Sequence, residues 1–191
     1  MQYKKEEVKQ RIVTAAINEF EKYGFNGALT KNIAKQSNVP VGNLYRYFSS
    51  KSEMFDAAVE QVYNNFPYII NRIYEKEKDK SFKVKDLAKD IAASIMDIYN
   101  QYSKQLIILV FKSKDTKYCN FMQEIYELIT KLLLEKFFDK DNVQGRIMCE
   151  IISKGFADGL FELLKNGEKD TFKEMSEKLI LFYFYNIEER I

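Results

Sequence analysis

Between Thr30 and Lys51 the sequence TKNIAKQSNVPVGNLYRYFSSK has room for two short helices, a tight break between them, and little else. Thr30 is a good N-cap, because its hydroxyl can accept a backbone N–H two or three residues on, and Ile33, Ala34 and Ser37 then share one helical face. Asn38-Val39-Pro40 supplies the break: proline disfavours helix for the residue before it yet is welcome at the first position of a new helix. A second short helix therefore begins near Pro40. In it Leu44 and Phe48 lie four apart and can be buried together, leaving Val41, Asn43, Tyr45, Arg46 and Tyr47 on the surface. That surface set suits a nucleic-acid duplex. Arg46 and the tyrosine hydroxyls match phosphate oxygens, Asn43 can read a base edge, and Val41 can meet a thymine methyl. Gly42 removes a side chain where a helix start could approach a backbone closely.

The linked pieces around this stretch carry a resemblance. Phe20-Glu21-Lys22-Tyr23-Gly24-Phe25 ends an amphipathic helix. Ala28-Leu29-Thr30, Ile33-Ala34 and Val39 to Phe48 follow, and then Ser50-Lys51-Ser52-Glu53-Met54-Phe55. Together they resemble the DNA-binding domain of the tetracycline-repressor (TetR) family of transcriptional regulators, over roughly the first third of the chain. The resemblance implies that Thr30 and Lys31 open the first motif helix and touch phosphates. It makes Val41, Gly42, Asn43, Tyr45, Arg46 and Tyr47 the recognition helix, and Lys51 a phosphate clamp. Val41 sits where many relatives carry a polar residue, and Pro40 where a small polar cap is common, so the docking mode carries over and the base preference does not. Arg46 has an alternative role as an ion-pair partner of Glu53.

Charge supports this reading once the chain is divided. The net charge is +2, but residues 1–55 hold nine Lys/Arg against five Glu, whereas residues 56–191 hold twenty-one against twenty-three acids. Positive charge is thus concentrated where phosphate would lie, although nine cations could equally serve to solvate a small helical segment.

With 7 Gly and 2 Pro in 191 residues, and no strand-like alternation, the expected fold is all-α. A three-helix helix-turn-helix DNA-binding domain over residues 1–50 would join a helical effector-binding and dimerisation domain over 51–191, about nine helices in all. Helix 1 is expected from about Lys5 to Tyr23, with Val8, Ile12, Ala15, Ala16 and Phe20 inward and Gly24 closing it in the left-handed conformation. Ser50 and Glu53 form a capping box that starts the next helix, whose inward residues are Met54, Ala58, Val62 and Phe66. Pro67 should kink or end it. After a charged break at Tyr74 to Ser81, helices are expected at about 83–102, 104–113, 118–138, 142–166 and 170–188. Asp139 to Asn142 and Asn166-Gly167 should mark boundaries.

Two features of the second part bear on partners. Gly155 and Gly159 lie four apart within a helix, at a cost of about 1 kcal/mol each relative to alanine, so something approaches that face closely. Either helices of the same subunit do so, or a second copy does. The family resemblance implies a four-helix bundle built from the last two helices of each subunit, with Gly155, Phe156, Gly159, Leu163, Leu179, Phe182 and Tyr183 at the dimer interface. The resemblance also places a small-molecule effector site in the middle of the helical array. Phe66, Tyr102 and Tyr126 are candidate lining residues there, with Tyr63, Tyr99, Phe111 and Phe156 as further aromatics, and plain core is the competing role for all of them.

Other function classes find less support. The chain has no histidine, and Cys119 and Cys149 have neither zinc spacing nor an activating partner. Phosphate-cradling glycine loops are missing. No catalytic residue, metal or cofactor is expected, and the chain is not expected to be an enzyme. A helical small-molecule-binding or adaptor protein without DNA binding is the alternative. The exposed set Thr30, Lys31, Tyr45, Arg46, Tyr47 and Lys51 argues against it. The start MQYKKEEVKQ lacks an apolar signal-peptide core, and no run approaches a membrane span, so the expected compartment is the reducing cytoplasm.

Overall fold

The structure, a computed structural model, describes residues 2–77, 84–138, 142–166, 168–185 and 187. Among them lie eight α-helices, one π-helix and no strand. The helices are α1 (Gln2–Gly27), α2 (Thr30–Gln36), α3 (Val41–Leu44), α4 (Lys51–Glu77), α5 (Val84–Ile107), α6 (Phe121–Phe137), α7 (Val143–Asn166) and α8 (Lys169–Phe184). The π-helix is Ile108–Lys112. Part of the EKEKDK break, the stretch 139–141 and Gly167 lie outside the described residues.

The chain forms two compact units. One contains Met1–Asn65 with Lys104–Phe121, and the other Phe66–Ser103 with Met122–Ile191.

In the first unit the expected stripe of α1 is buried through Ile12, Ala15, Ala16 and Phe20. Gly24 takes the expected positive φ (68°), but its ψ of 177° is extended, and helical backbone resumes to Gly27. The expected stop is therefore a kink. A Cβ on Gly24 would have 3.6 Å to the Lys112 carbonyl, so the α1 backbone and the π-helix pack closely there. The core below is aromatic. Phe55 meets Phe20 edge-on at 4.9 Å and Phe25 at 5.4 Å, and lies 5.9 Å from Tyr118. Such pairs add to the burial of each ring.

Helix α4 starts as the capping box requires, with a difference. The Glu53 N–H donates to Ser50 Oγ at 3.1 Å, whereas the Glu53 carboxylate accepts from the N–H and hydroxyl of Ser49 rather than from the Ser50 backbone. Pro67 does not end α4, which continues to Glu77. Losing one backbone donor there is tolerated in a helix that buries Val62 and Phe66 just before it.

In the second unit α6 and α7 meet through two buried hydroxyls. Thr130 donates to Ser153 Oγ at 3.0 Å, and Ser153 donates to the Cys149 carbonyl at 2.6 Å. Leu133, Leu134, Cys149, Ile152 and Ile187 form a core cluster beside them. Tyr99 stacks on Phe172 with ring centres 4.4 Å apart. The break expected near residue 103 falls on Tyr102, whose φ of −137° is non-helical within α5.

Candidate nucleic-acid interface

Helix α2 has no cap of its own. Leu29 occupies the N-cap position with extended backbone and no side-chain hydrogen bond, so the expected Thr30 cap is not the one used. The acceptor comes instead from α1. Glu19, 2% exposed, takes hydrogen bonds on Oε1 from the Leu29 N–H (3.2 Å) and the Asn32 amide (2.8 Å), and on Oε2 from the Gln36 amide (3.0 Å). Sequence reasoning passed over Glu19, although its position on the inner face of α1, four residues after Ala15 and three after Ala16, marks it as a buried acid that must be paired.

The turn follows from Asn38, whose φ of 54° lies in the left-handed region that asparagine tolerates better than most residues. Pro40 stands at the N-cap of α3 with φ −57°, one position before the expected helix start, and its carbonyl accepts the N–H groups of Asn43 and Leu44. Helix α3 is short, but the N–H groups of Arg46 and Tyr47 bond to Asn43 and Leu44, so the helical path continues as tighter turns to Tyr47. Leu44 and Phe48 are buried as the four-residue spacing requires.

This leaves Lys31, Val41, Gly42, Asn43, Tyr45 and Arg46 exposed, with Thr30, Tyr47 and Lys51 half-buried. The Tyr45 hydroxyl donates to Thr30 Oγ1 at 3.3 Å, which joins the start of α2 to the end of α3. Lys51 is engaged within the chain. Its ammonium lies 3.3 Å from the Ala28 carbonyl, 3.5 Å from that of Asn26, and 4.8 Å over the Phe25 ring. Hydrogen bonds from the Ser49 hydroxyl and N–H hold the Glu53 carboxyl below the usual carboxylate range.

Of the remaining candidates, Tyr63 and Phe111 fall in the first unit and the others in the second. Phe66 is buried, and Tyr102 is half-buried at the break in α5. Tyr126 donates a short hydrogen bond to Asp158, and burial together with this bond pushes its hydroxyl up to about 12. The approach to both glycines of α7 comes from α8 of the same chain. A Cβ on Gly155 would lie 2.5 Å from the Tyr183 hydroxyl, and one on Gly159 would lie 3.3 Å from Leu179. Phe156 is buried, and Leu163, Leu179 and Tyr183 are half-buried, whereas Phe182 is 70% exposed. Sequence reasoning missed the row Val143, Ile147 and Ile151, spaced by four on α7 and all exposed beyond one half. Its helical spacing was legible.

Among the described residues no group of His, Cys, Asp or Glu could hold a metal ion, and no helix is long and apolar enough to cross a membrane.

Residues 12–58 match the family described as bacterial regulatory proteins, tetR family. IcaR of Staphylococcus aureus, the HTH-type negative transcriptional regulator of the biofilm operon icaADBC, is 25% identical over 139 residues, spanning 72% of this chain and 73% of that protein. A TetR-family transcriptional regulator from Bordetella parapertussis superposes with a TM-score of 0.71 at 14% identity, covering 93% of this chain and 94% of that one. The transcriptional regulator FadR from Bacillus subtilis, in complex with stearoyl-CoA, superposes with a TM-score of 0.58 at 15% identity, covering 92% and 97%. At these identities the two structures establish a common fold.

Proposed function

Because this chain belongs to the TetR family of bacterial regulatory proteins, we propose that it is a homodimeric, ligand-responsive transcriptional repressor that leaves its operator when a small molecule binds. Residues 1–50 form the DNA-binding domain, to which Lys51 at the start of α4 adds one contact, and residues 51–191 carry effector binding and dimerisation. In each subunit α3 enters the major groove with Val41, Gly42, Asn43, Tyr45, Arg46 and Tyr47, while Thr30, Lys31 and Lys51 take phosphates. Two such helices about 34 Å apart fit successive grooves of a pseudo-palindromic operator. The observation that carries this reading is the exposed polar and aromatic set of α2 and α3, raised on a fully buried Ile33, Leu44 and Phe48 base.

Dimerisation is assigned to α7 and α8. Val143, Ile147 and Ile151 on α7, with Phe182 on α8, expose more apolar surface than an isolated subunit would favour. A second copy is the family's partner for these two helices. The effector is a small molecule received by the second unit, with Phe66, Tyr102 and Tyr126 the candidate contacts. Helix α4 runs unbroken from Lys51 to Glu77, so a tilt of this helix links effector binding to the recognition helices by favouring one of two states. Such a protein works in the cytoplasm and performs no catalysis.

The test is selection of duplexes from a random-sequence pool by the purified chain, followed by sedimentation of the complex. A pseudo-palindromic consensus bound by two chains is expected. A strictly monomeric chain, or one that ignores every duplex at low ionic strength, overturns the reading.

A further inference from the structure

We propose that Glu19 is a positioning residue for DNA recognition: its buried carboxylate fixes where α2 starts and how it is rotated, and through α2 it places the recognition helix. The inference rests on the DNA-binding reading above. At seven residues α2 is too short to be stable alone, and its N-cap residue, Leu29, offers no acceptor. Glu19 supplies three bonds at three heights: the Leu29 N–H before the helix, Asn32 in its first turn and Gln36 in its last. The first bond sets the position along the axis. Asn32 and Gln36, four apart, share a face, so the other two set the rotation about it.

A carboxylate suits the task because it only accepts, and its two oxygens can take all three donors. Its negative charge also lies at the favourable end of the helix dipole. The consequence for function runs through short links. Thr30 opens α2 and accepts from Tyr45, while Ser37 and Val39 at the other end are buried ahead of α3. A rotation of α2 therefore moves Thr30, Lys31 and Tyr45 together. Glu19 touches no base or phosphate itself.

The variants Glu19→Gln, Glu19→Leu, Asn32→Ala and Gln36→Ala of the full chain separate this role from general packing. Each is titrated against the duplex selected by the wild-type chain and against mixed-sequence genomic DNA, with helical content checked by circular dichroism. Gln keeps one oxygen for Leu29 and Asn32, and Gln36 can turn its amide to meet the new NH₂, so E19Q should bind the selected duplex within about threefold of wild type. E19L fills the site but leaves the Leu29 N–H without its acceptor. It should lose about tenfold or more on the selected duplex while losing little on mixed-sequence DNA. N32A and Q36A, each removing one donor, should lose about threefold in the same direction, and they carry the test if E19L does not fold.

Wild-type affinity and preference in a folded E19L, or in both N32A and Q36A, would overturn the proposal. So would E19Q as weak as E19L, because charge and not geometry would then be at work. A wild-type chain that binds no duplex overturns the DNA reading and this inference with it; wild-type binding shared by all four variants overturns this inference alone.

Discussion

The Asn26 side-chain amide donates a 2.7 Å hydrogen bond to the Asp115 carboxylate, 89 residues away in the chain. It is one of several polar ties between α1 or α4 and the stretch Lys104–Phe121. Lys104 reaches Asn18 at 2.8 Å and Glu21 at 3.0 Å, and Lys117 reaches Asp56 at 3.0 Å. Each is exposed and individually weak. Together they hold a segment from the second half of the sequence in the same compact unit as α2 and α3.

Asp115 has φ of 64°, so its conformation and its bond can be separated by substitution. Asp115→Ala loses the acceptor and puts a β-carbon with no local polar compensation in the left-handed region, at a combined cost of about 1–2 kcal/mol. Asp115→Gly loses the acceptor but relieves the backbone, so it should be the more stable of the two in urea unfolding of the full chain. Equal stability would show that the positive φ stores nothing.

Much of this architecture was legible because the relevant signals are local. The Leu44–Phe48 spacing, the Asn38-Val39-Pro40 break, the Ser50 cap and the inner stripe of α1 each act within a few residues. What was not legible depends on residues distant in sequence. The α2 cap was read as Thr30 because an N-cap is sought at the helix start, whereas the acceptor is Glu19 on α1. The π-helix Ile108–Lys112 has no propensity signature, and it is packed where Gly24 lets the α1 backbone come near. Pro67, lacking an N–H, is expected to kink or end its helix, yet α4 continues past it to Glu77, with Val62 and Phe66 buried just before the affected turn.

Gly155 should resist substitution through one atom. A Cβ there meets the Tyr183 hydroxyl at 2.5 Å but the next ring atoms only at 3.2 and 3.3 Å. Gly155→Ala gains about 1 kcal/mol of helix propensity and loses about 1–3 kcal/mol to overpacking. In the double variant Gly155→Ala/Tyr183→Phe the closest contact is gone, so a double-mutant cycle by thermal or urea unfolding should give a favourable coupling. An additive cycle would mean that Tyr183 is not what keeps the site small.

The Tyr118 hydroxyl is buried without a hydrogen bond of good geometry among the described residues, and burial, outweighing the opposing influence of the Lys117 ammonium beside it, pushes it up to about 12. Tyr118→Phe removes an unsatisfied group, so it should raise stability at neutral pH by about 1 kcal/mol. The alkaline limb follows from linkage. Above pH ~10 the unfolded chain releases this proton while the folded chain keeps it, so the tyrosine's share of stability is full below pH ~10 and is lost as pH climbs towards 12. Relative to wild type, Y118F should gain stability steadily over that interval. A constant difference between the two proteins from pH 9 to 12 would contradict the assignment.

If α7 and α8 join two copies, a charge in the exposed apolar row should separate them without unfolding the subunit. Ile151 is 61% exposed and Phe182 70% exposed, so Ile151→Asp and Phe182→Asp cost little within one chain. In a dimer each charge would be buried twice by symmetry. Sedimentation should find both variants monomeric with native helix content, and binding to a selected duplex should weaken about a hundredfold or more, because two half-sites would no longer be engaged at once. Dimers that persist in both variants would place the interface elsewhere.

Lys51 is assigned two tasks that one titration can divide. In the free chain its ammonium holds the Asn26 and Ala28 carbonyls and covers Phe25, and on DNA it is assigned a phosphate. Lys51→Ala should therefore lower the stability of the free protein by about 1 kcal/mol through the lost bonds. It should also weaken binding about equally on all sequences and reduce the slope of log K against log salt by about one. Asn43→Ala, removing a group assigned to a base edge, should leave that slope alone and change which bases a selection returns. If K51A destabilises the protein and leaves the slope unchanged, the ammonium fastens the α1–α2 corner and touches no phosphate. If N43A selects the same sequence as wild type, Asn43 is not reading a base.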